Sequence, residues 1–297
     1  MNVRGPFTPG SRVGFIGLGV MGSGMARCLL RKGFALHVFA RRPEIGSRFA
    51  EAGAAAAPTP AAVGSQCGLV ILSLTDSDAV RDVLFGTDGL APALDPGSIV
   101  VDTSTISAKF AREFGERLRE RGVWLLDAPV SGGQQGAEEG TLGCMVGGPA
   151  GVLAACREAM SAFCKTITHV GDLGAGQAVK ACNQVAVTGA LLGVADAMAL
   201  ARAEGVDLNI MREVLMGGSA RSFSLEKHGP RIIDGNFAPG FRARLMLKDL
   251  RLALQTARAE GVQLPATQLA EQLLAALCEG ERADWDWSAL ALEAGKK

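Results

Sequence analysis

At 297 residues, 48% hydrophobic and 20% charged, the chain is long enough for two domains with substantial cores and is not a disordered sequence. Thirty basic residues balance thirty acidic ones. This removes any global electrostatic reason to expect nucleic acid or an anionic membrane as partner, though not a local basic site. Seven scattered cysteines without a C-x-x-C pair, and three histidines without H-E-x-x-H spacing, argue against a disulfide framework and a metal site and for a reducing, cytoplasmic setting.

Residues 1–11 carry two prolines and two glycines and read as a loose arm lacking the apolar run of a signal peptide. From residue 12 onward short apolar runs alternate with amphipathic stretches. Arg12–Ile16, Leu36–Ala40, Leu69–Leu74, Ile99–Asp102, Trp124–Asp127 and Cys144–Val146 read as strands, with helical patterns such as Met21–Lys32 and Lys109–Arg121 between them. The alternation predicts an α/β fold, a doubly wound parallel sheet with helices on both faces. After Gly176 the texture turns Ala- and Leu-rich and helical, with breaks at Gly205, Gly217-Gly218, Pro239-Gly240 and Gly261. We therefore expect a nucleotide-binding domain over 12–174 and an all-helical domain over 175–297. A helix of about 29 residues, roughly 43 Å long, would join them, although Gly189 and Gly193 lie within it. No stretch offers about 18 uninterrupted apolar residues, so no membrane span is expected.

Four motifs carry the chemistry. Gly17-Leu18-Gly19-Val20-Met21-Gly22 follows the first strand and opens a helical pattern. Glycines there let the chain turn tightly, let a pyrophosphate approach the backbone, and let helix and strand pack closely. The helix N-terminus then offers free N–H groups to the anion. Together these mark a Rossmann-type dinucleotide site; the plainer reading is a structural turn. At the end of the second strand, where an NAD-selective site carries Asp or Glu, stand Ala40, Arg41 and Arg42. Losing the carboxylate removes repulsion of a 2′-phosphate and an arginine can pair with it, favouring NADP, with NAD as the alternative. Surface charge is the bland account of the same pair.

Asp127-Ala-Pro-Val-Ser131-Gly132-Gly133 supplies a hydroxyl and two glycine N–H groups that could cradle a substrate carboxylate, or form no more than a glycine-rich loop. Finally, Gly171-x-x-Gly174-x-Gly176-x-x-x-Lys180 is followed by Asn183 and Gln184. Positions 180, 183 and 184 share one helical face, an amine beside two amides. A lysine near a helix start is otherwise usually a solvated charge.

In this order the motifs resemble those of the β-hydroxyacid dehydrogenase family. The resemblance covers roughly residues 12–290 and includes DTST at 102–105 and LKDL at 247–250. It implies that Lys180 is the catalytic acid/base, that Ser131, Gly132 and Gly133 hold a substrate carboxylate, and that Asn183 and Gln184 lie near the substrate. It further implies that Leu74, Thr75 and Thr105 line the cofactor site and that Lys248 reaches the cleft between domains, near cofactor and substrate. Many members have Asn-Asn after the lysine, whereas this chain has Asn183-Gln184. That pair, GFRxxLxxKDL at 240–250 and Asp-x-Ser-Ala-Leu at 286–290 look most like the tartronate semialdehyde reductase branch.

The implied substrate is a small carboxylate-bearing semialdehyde or hydroxy acid, the implied chemistry reversible reduction of a short 3-oxo acid. Sister specificities, 3-hydroxyisobutyrate and glyoxylate or succinic semialdehyde, are the near alternatives. Imine reductases of the same fold typically replace the lysine. Non-catalytic interaction modules on the fold lack the lysine too and carry extra reader segments not seen here. The long apolar helix points toward a homo-oligomer, though a monomer can bury such a helix as well.

Overall fold

The computed structural model describes residues 2–294, which divide after Lys180 into two compact units. The first is built on one sheet of nine strands: β1 (Arg12–Ile16), β2 (Ala35–Phe39), β3 (Ala55–Ala56), β4 (Leu69–Leu72), β5 (Ile99–Asp102), β6 (Trp124–Asp127), β7 (Val130–Ser131), β8 (Leu142–Gly147) and β9 (Cys164–Gly171). The order β3-β2-β1-β4-β5-β6 runs parallel throughout, which is the strand order of dinucleotide-binding sheets. Beyond β6 the parallel expectation fails locally. β8 pairs antiparallel with both β6 and β7, and β9 then pairs parallel with β8.

The central strands β4, β5 and β6 read as strands because they are buried on both faces. All four residues of β4, Leu69 to Leu72, are fully buried. Leu69 and Ile71 join one apolar cluster with Phe15, Val101 and Leu126, while Val70 and Leu72 join the other with Ile16, Val100 and Leu125. Each such side chain contributes about 1.5–3 kcal/mol relative to exposure. Helices α1 (Val20–Arg31), α2 (Pro43–Glu51), α3 (Pro60–Gly64), α4 (Ser77–Phe85), α5 (Ala108–Arg119), α6 (Gly133–Glu139) and α7 (Ala150–Met160) cover the sheet. Strands β3 and β7 have two residues each, too few to show a period. β9 hides in CKTITHVG, which has a single buried residue and carries Lys, Thr and His.

Helix α8 (Ala175–Ala203) runs unbroken for 29 residues. An added Cβ at Gly189 or Gly193 would meet nothing within 4 Å, so these glycines cost only helix propensity, about 1 kcal/mol each. By length and a mean hydropathy of 1.6 in its most apolar window, α8 could cross a membrane. Its apolar residues have another use. Leu191, Val194, Ala195 and Met198 enter the core of the second unit.

That unit continues with α9 (Leu208–Met216), a π-helical turn at Ser224–His228, α10 (Gly229–Ile233), α11 (Ala243–Ala259), α12 (Pro265–Cys278) and α13 (Ala291–Ala294). Its core joins Met246, Leu247 and Leu250 of α11 to Leu274 and Leu277 of α12 and to Trp287 and Leu290. The compact units part after Lys180, inside α8 and six residues beyond the expected boundary between 174 and 175.

Candidate active site

Six parallel strands end at one edge of the sheet, and motif residues of the first unit stand at the ends of five of them. Gly17 follows β1, Ala40 follows β2, Leu74 and Thr75 follow β4, Thr105 follows β5, and Asp127 closes β6. β1 has β2 on one side and β4 on the other. The Gly17 turn therefore sits where the winding reverses, which is where open α/β sheets bind ligands.

The three glycines of that turn have separable causes. Gly17 takes φ +100°, and a Cβ there would collide with the Ser73 carbonyl. A Cβ on Gly22 would collide with the Gly17 carbonyl, so glycine lets α1 lie against the turn. Gly19 has φ −73° and no atom within 4 Å of an added Cβ. Neither backbone strain nor protein packing demands glycine there; close approach of a ligand would. No side chain caps α1 and no acid lies in its first turn, so its leading N–H groups suit a pyrophosphate. The residues present thus fit a dinucleotide. Val20, 54% exposed, stands beside them.

At the end of β2, Arg41 and Arg42 are exposed, and Arg42 occupies the N-cap position of α2. Among the described residues neither guanidinium forms an ion pair.

The loops after β4 and β5 are stitched together. The Leu74 N–H donates to Ser104 Oγ at 2.8 Å, the Ser104 N–H to Asp102 Oδ1 at 2.9 Å, and Thr103 Oγ1 to the Leu72 carbonyl at 2.6 Å. Thr75 Oγ1 donates to Asp76 Oδ2 at 2.9 Å, and Asp76 caps α4 through the Ala79 N–H. Thr105 is half-buried between Ser104 and Ile106.

The start of α8 is held by a carboxylate from β6. Asp127, fully buried, accepts from the Gly174 N–H at 2.7 Å and the Gln177 N–H at 2.8 Å. Burial pushes its carboxyl up to about 6, partly offset by those backbone donors. A Cβ on Gly176 would press on Asp127 and on the Met145 carbonyl, so glycine lets the helix begin against the sheet. Lys180, 7% exposed, lies one turn beyond Gln177; it is a buried lysine, not a solvated one.

Ser131 is half-buried in β7, paired opposite Gly143. The glycines after it do not form an open loop. Gly132 at φ +131° and Gly133 at φ +65° turn the chain into α6, with both residues exposed.

In the second unit a polar chain joins the remaining candidates. Asn183 Nδ2 donates to Gln184 Oε1 at 2.8 Å, Gln184 Nε2 donates to Asp249 Oδ2 at 2.6 Å, and Lys248 Nζ lies 3.1 Å from Asp249 Oδ1. Gln184 therefore has both polar atoms engaged by protein. Asn183 Oδ1 takes no hydrogen bond from the described residues.

Sequence reasoning passed over Asp127, Ser104, Gln177 and Asp249. Three of them stood in the motifs, as the first residue of DAPVSGG, the Ser of DTST and the Asp of LKDL, while Gln177 lay at an unspecified position between Gly176 and Lys180. Among the described residues no group of three His, Cys, Asp or Glu could hold a metal ion.

The NAD-binding domain of 6-phosphogluconate dehydrogenase describes the family model that matches residues 12–171. A second model, for NAD-binding of NADP-dependent 3-hydroxyisobutyrate dehydrogenase, matches residues 174–293. The chain is 39% identical to the 2-hydroxy-3-oxopropionate reductase of Escherichia coli, over 94% of this chain and 95% of that one. It is 37% identical to the L-threonate dehydrogenase of Cupriavidus necator, over 88% of each. A solved structure of Mycobacterium tuberculosis 3-hydroxyisobutyrate dehydrogenase with L-serine aligns with a TM-score of 0.88 at 31% identity, over 95% of this chain and 98% of that one. With both halves matched by family models and such relatives along nearly the whole length, the chain belongs to the β-hydroxyacid dehydrogenase family and is an NAD(P)-dependent oxidoreductase of hydroxy acids.

Proposed function

We propose that this enzyme reduces 2-hydroxy-3-oxopropanoate (tartronate semialdehyde) to D-glycerate with NADPH, reversibly, using Lys180 as the proton donor and acceptor. The observation that carries the catalytic part is Lys180 itself, buried on α8 one turn beyond a helix start tied to the carboxyl edge of the sheet. When bound, the nicotinamide supplies the hydride in reduction and takes it in oxidation. The Lys180 ammonium gives its proton to the substrate oxygen as that oxygen gains charge, and stabilises it meanwhile. In the reverse direction the neutral amine removes the hydroxyl proton.

Binding roles follow from residue chemistry. The Gly17–Gly22 turn, with Leu18, Val20 and Met21, would hold the pyrophosphate, and Leu74, Thr75 and Thr105 would flank the cofactor. Arg41 and Arg42, next to Ala40 rather than a carboxylate, would pair with a 2′-phosphate, hence NADPH over NADH. Ser131, Gly132 and Gly133 would hold the substrate carboxylate, and Lys248 would serve cofactor and substrate. Gln184, bonded to Asp249, orients Asn183 so that Asn183 Oδ1 presents an acceptor. An acceptor suits the 2-hydroxyl of 2-hydroxy-3-oxopropanoate better than the methyl of a 3-hydroxyisobutyrate skeleton. The seven unpaired cysteines suit a reducing compartment. Ile210 and Val214, 62% and 69% exposed one turn apart on α9, suit association of subunits through the helical domain.

A steady-state screen decides the substrate. NADPH oxidation is measured with 2-hydroxy-3-oxopropanoate, succinic semialdehyde, glyoxylate and methylmalonate semialdehyde, and reduction of NADP with threonate, serine and 3-hydroxyisobutyrate. We expect the highest kcat/KM with 2-hydroxy-3-oxopropanoate. A higher value with any other substrate overturns that assignment.

A further inference from the structure

We propose that Gln177 is the positioning residue that sets the spacing between the Thr105 loop and Lys180, and so between the hydride and proton paths; this rests on the catalytic reading above. The Gln177 side chain is 3% exposed and uses both ends of its amide. Its Nε2 donates to the Ser104 carbonyl at 2.8 Å, and its Oε1 accepts from the Ile106 N–H at 3.1 Å. These are the backbone groups on either side of Thr105, so one planar amide grips that residue from both flanks. Ser104 in turn receives the Leu74 N–H on its hydroxyl. The cofactor-side loops after β4 and β5 thus share one anchor.

The other end of the anchor is α8. The Gln177 backbone N–H is fixed by Asp127 Oδ2, and Lys180 follows at i+3, one turn along and on the same face. A continuous helix passes any displacement at Gln177 to Lys180. The job needs a neutral group with a donor and an acceptor in fixed geometry, at the length of glutamine. Methionine has the length without the donor, and asparagine has the amide one methylene short.

Hydride and proton transfer are both steep in distance, and a misplacement of about 1 Å can cost on the order of 10²-fold in rate. For Gln177→Met and Gln177→Asn we expect kcat to fall by about 10- to 100-fold per folded enzyme. KM for the semialdehyde, and Kd for NADPH from its fluorescence, should move less than about threefold. The primary isotope effect with NADPH deuterated at the transferred C4 position should rise as hydride transfer becomes rate-limiting. A merely structural glutamine would lower the folded fraction without changing the isotope effect. The cofactor-free wild type supplies a readout that needs neither variant nor turnover: amide exchange at Ile106 should be strongly slowed.

Folded variants with wild-type kcat and isotope effect overturn the proposal, as does rapid Ile106 exchange in the wild type. Failure of the catalytic reading shows differently, as a wild type inert with every semialdehyde, or as Lys180→Ala retaining turnover. In that event Ile106 exchange still judges the anchor.

Discussion

At the scale of single residues, the proposed reaction rests on the amine of Lys180 and the proposed cofactor choice on the guanidinium groups of Arg41 and Arg42. General acid–base catalysis typically contributes 10²- to 10⁴-fold, and the ammonium also stabilises the developing oxyanion. Lys180→Ala should therefore lose on the order of 10³-fold or more in kcat while keeping its Kd for NADPH. Lys180→Arg should not restore the rate, because guanidinium holds its proton too firmly to exchange it. Near-normal turnover by the alanine variant, with chemistry rate-limiting, would remove Lys180 from the mechanism. For the cofactor, a charge-assisted contact is worth about 1.5–3 kcal/mol. Joint replacement of Arg41 and Arg42 by alanine should raise KM for NADPH roughly tenfold or more and barely touch KM for NADH. Equal increases for both cofactors would return the two arginines to surface charge.

At the scale of elements, the start of α8 depends on a carboxylate that pays a burial penalty. The Asp127 carboxyl is pushed up to about 6 by burial, against about 4 in an unfolded chain. Between those values the folded protein keeps a proton that the unfolded chain has lost. This group therefore makes stability fall as pH rises from about 4 to about 6, by about 3 kcal/mol, with no further change above. Asp127→Asn cannot ionise. Its urea midpoint should change less across pH 4–6.5 than that of the wild type, at an overall offset, because an amide cannot accept both backbone N–H groups as the carboxylate does. Parallel curves for the two proteins would show that Asp127 does not carry the dependence.

On the scale of the whole molecule, the helical unit exposes apolar residues that an isolated chain would leave wet. Leu200 on α8 is 65% exposed, and Ile210 and Val214 share one face of α9, a helix with no buried residue. We expect light scattering on the purified protein to report a homo-oligomer. Ile210→Glu with Val214→Glu should shift it to a smaller species with little loss of Tm, since neither side chain is in the core. A wild type that is monomeric at micromolar concentration would refute the association.

Local chemistry made much of this protein readable as a string of residues. The Gly17–Gly22 turn is legible because its demands, positive φ and close approach, fall within six consecutive positions. The β1, β5 and β6 boundaries are legible because short buried apolar runs, VGFI, IVV and WLL, are bounded by a charged residue, Arg12, Asp102 or Asp127, and the face shared by Lys180, Asn183 and Gln184 follows from 3.6 residues per turn. What only the tertiary structure decided is how those pieces are held. Asp127 meets Gly174 and Gln177 across 47 and 50 residues, Gln177 meets Ser104 across 73, and Gln184 meets Asp249 across 65. No periodicity encodes such pairs. They exist because strand order and helix packing, set by burying apolar surface over the whole chain, leave buried polar groups that must find partners wherever the fold places them.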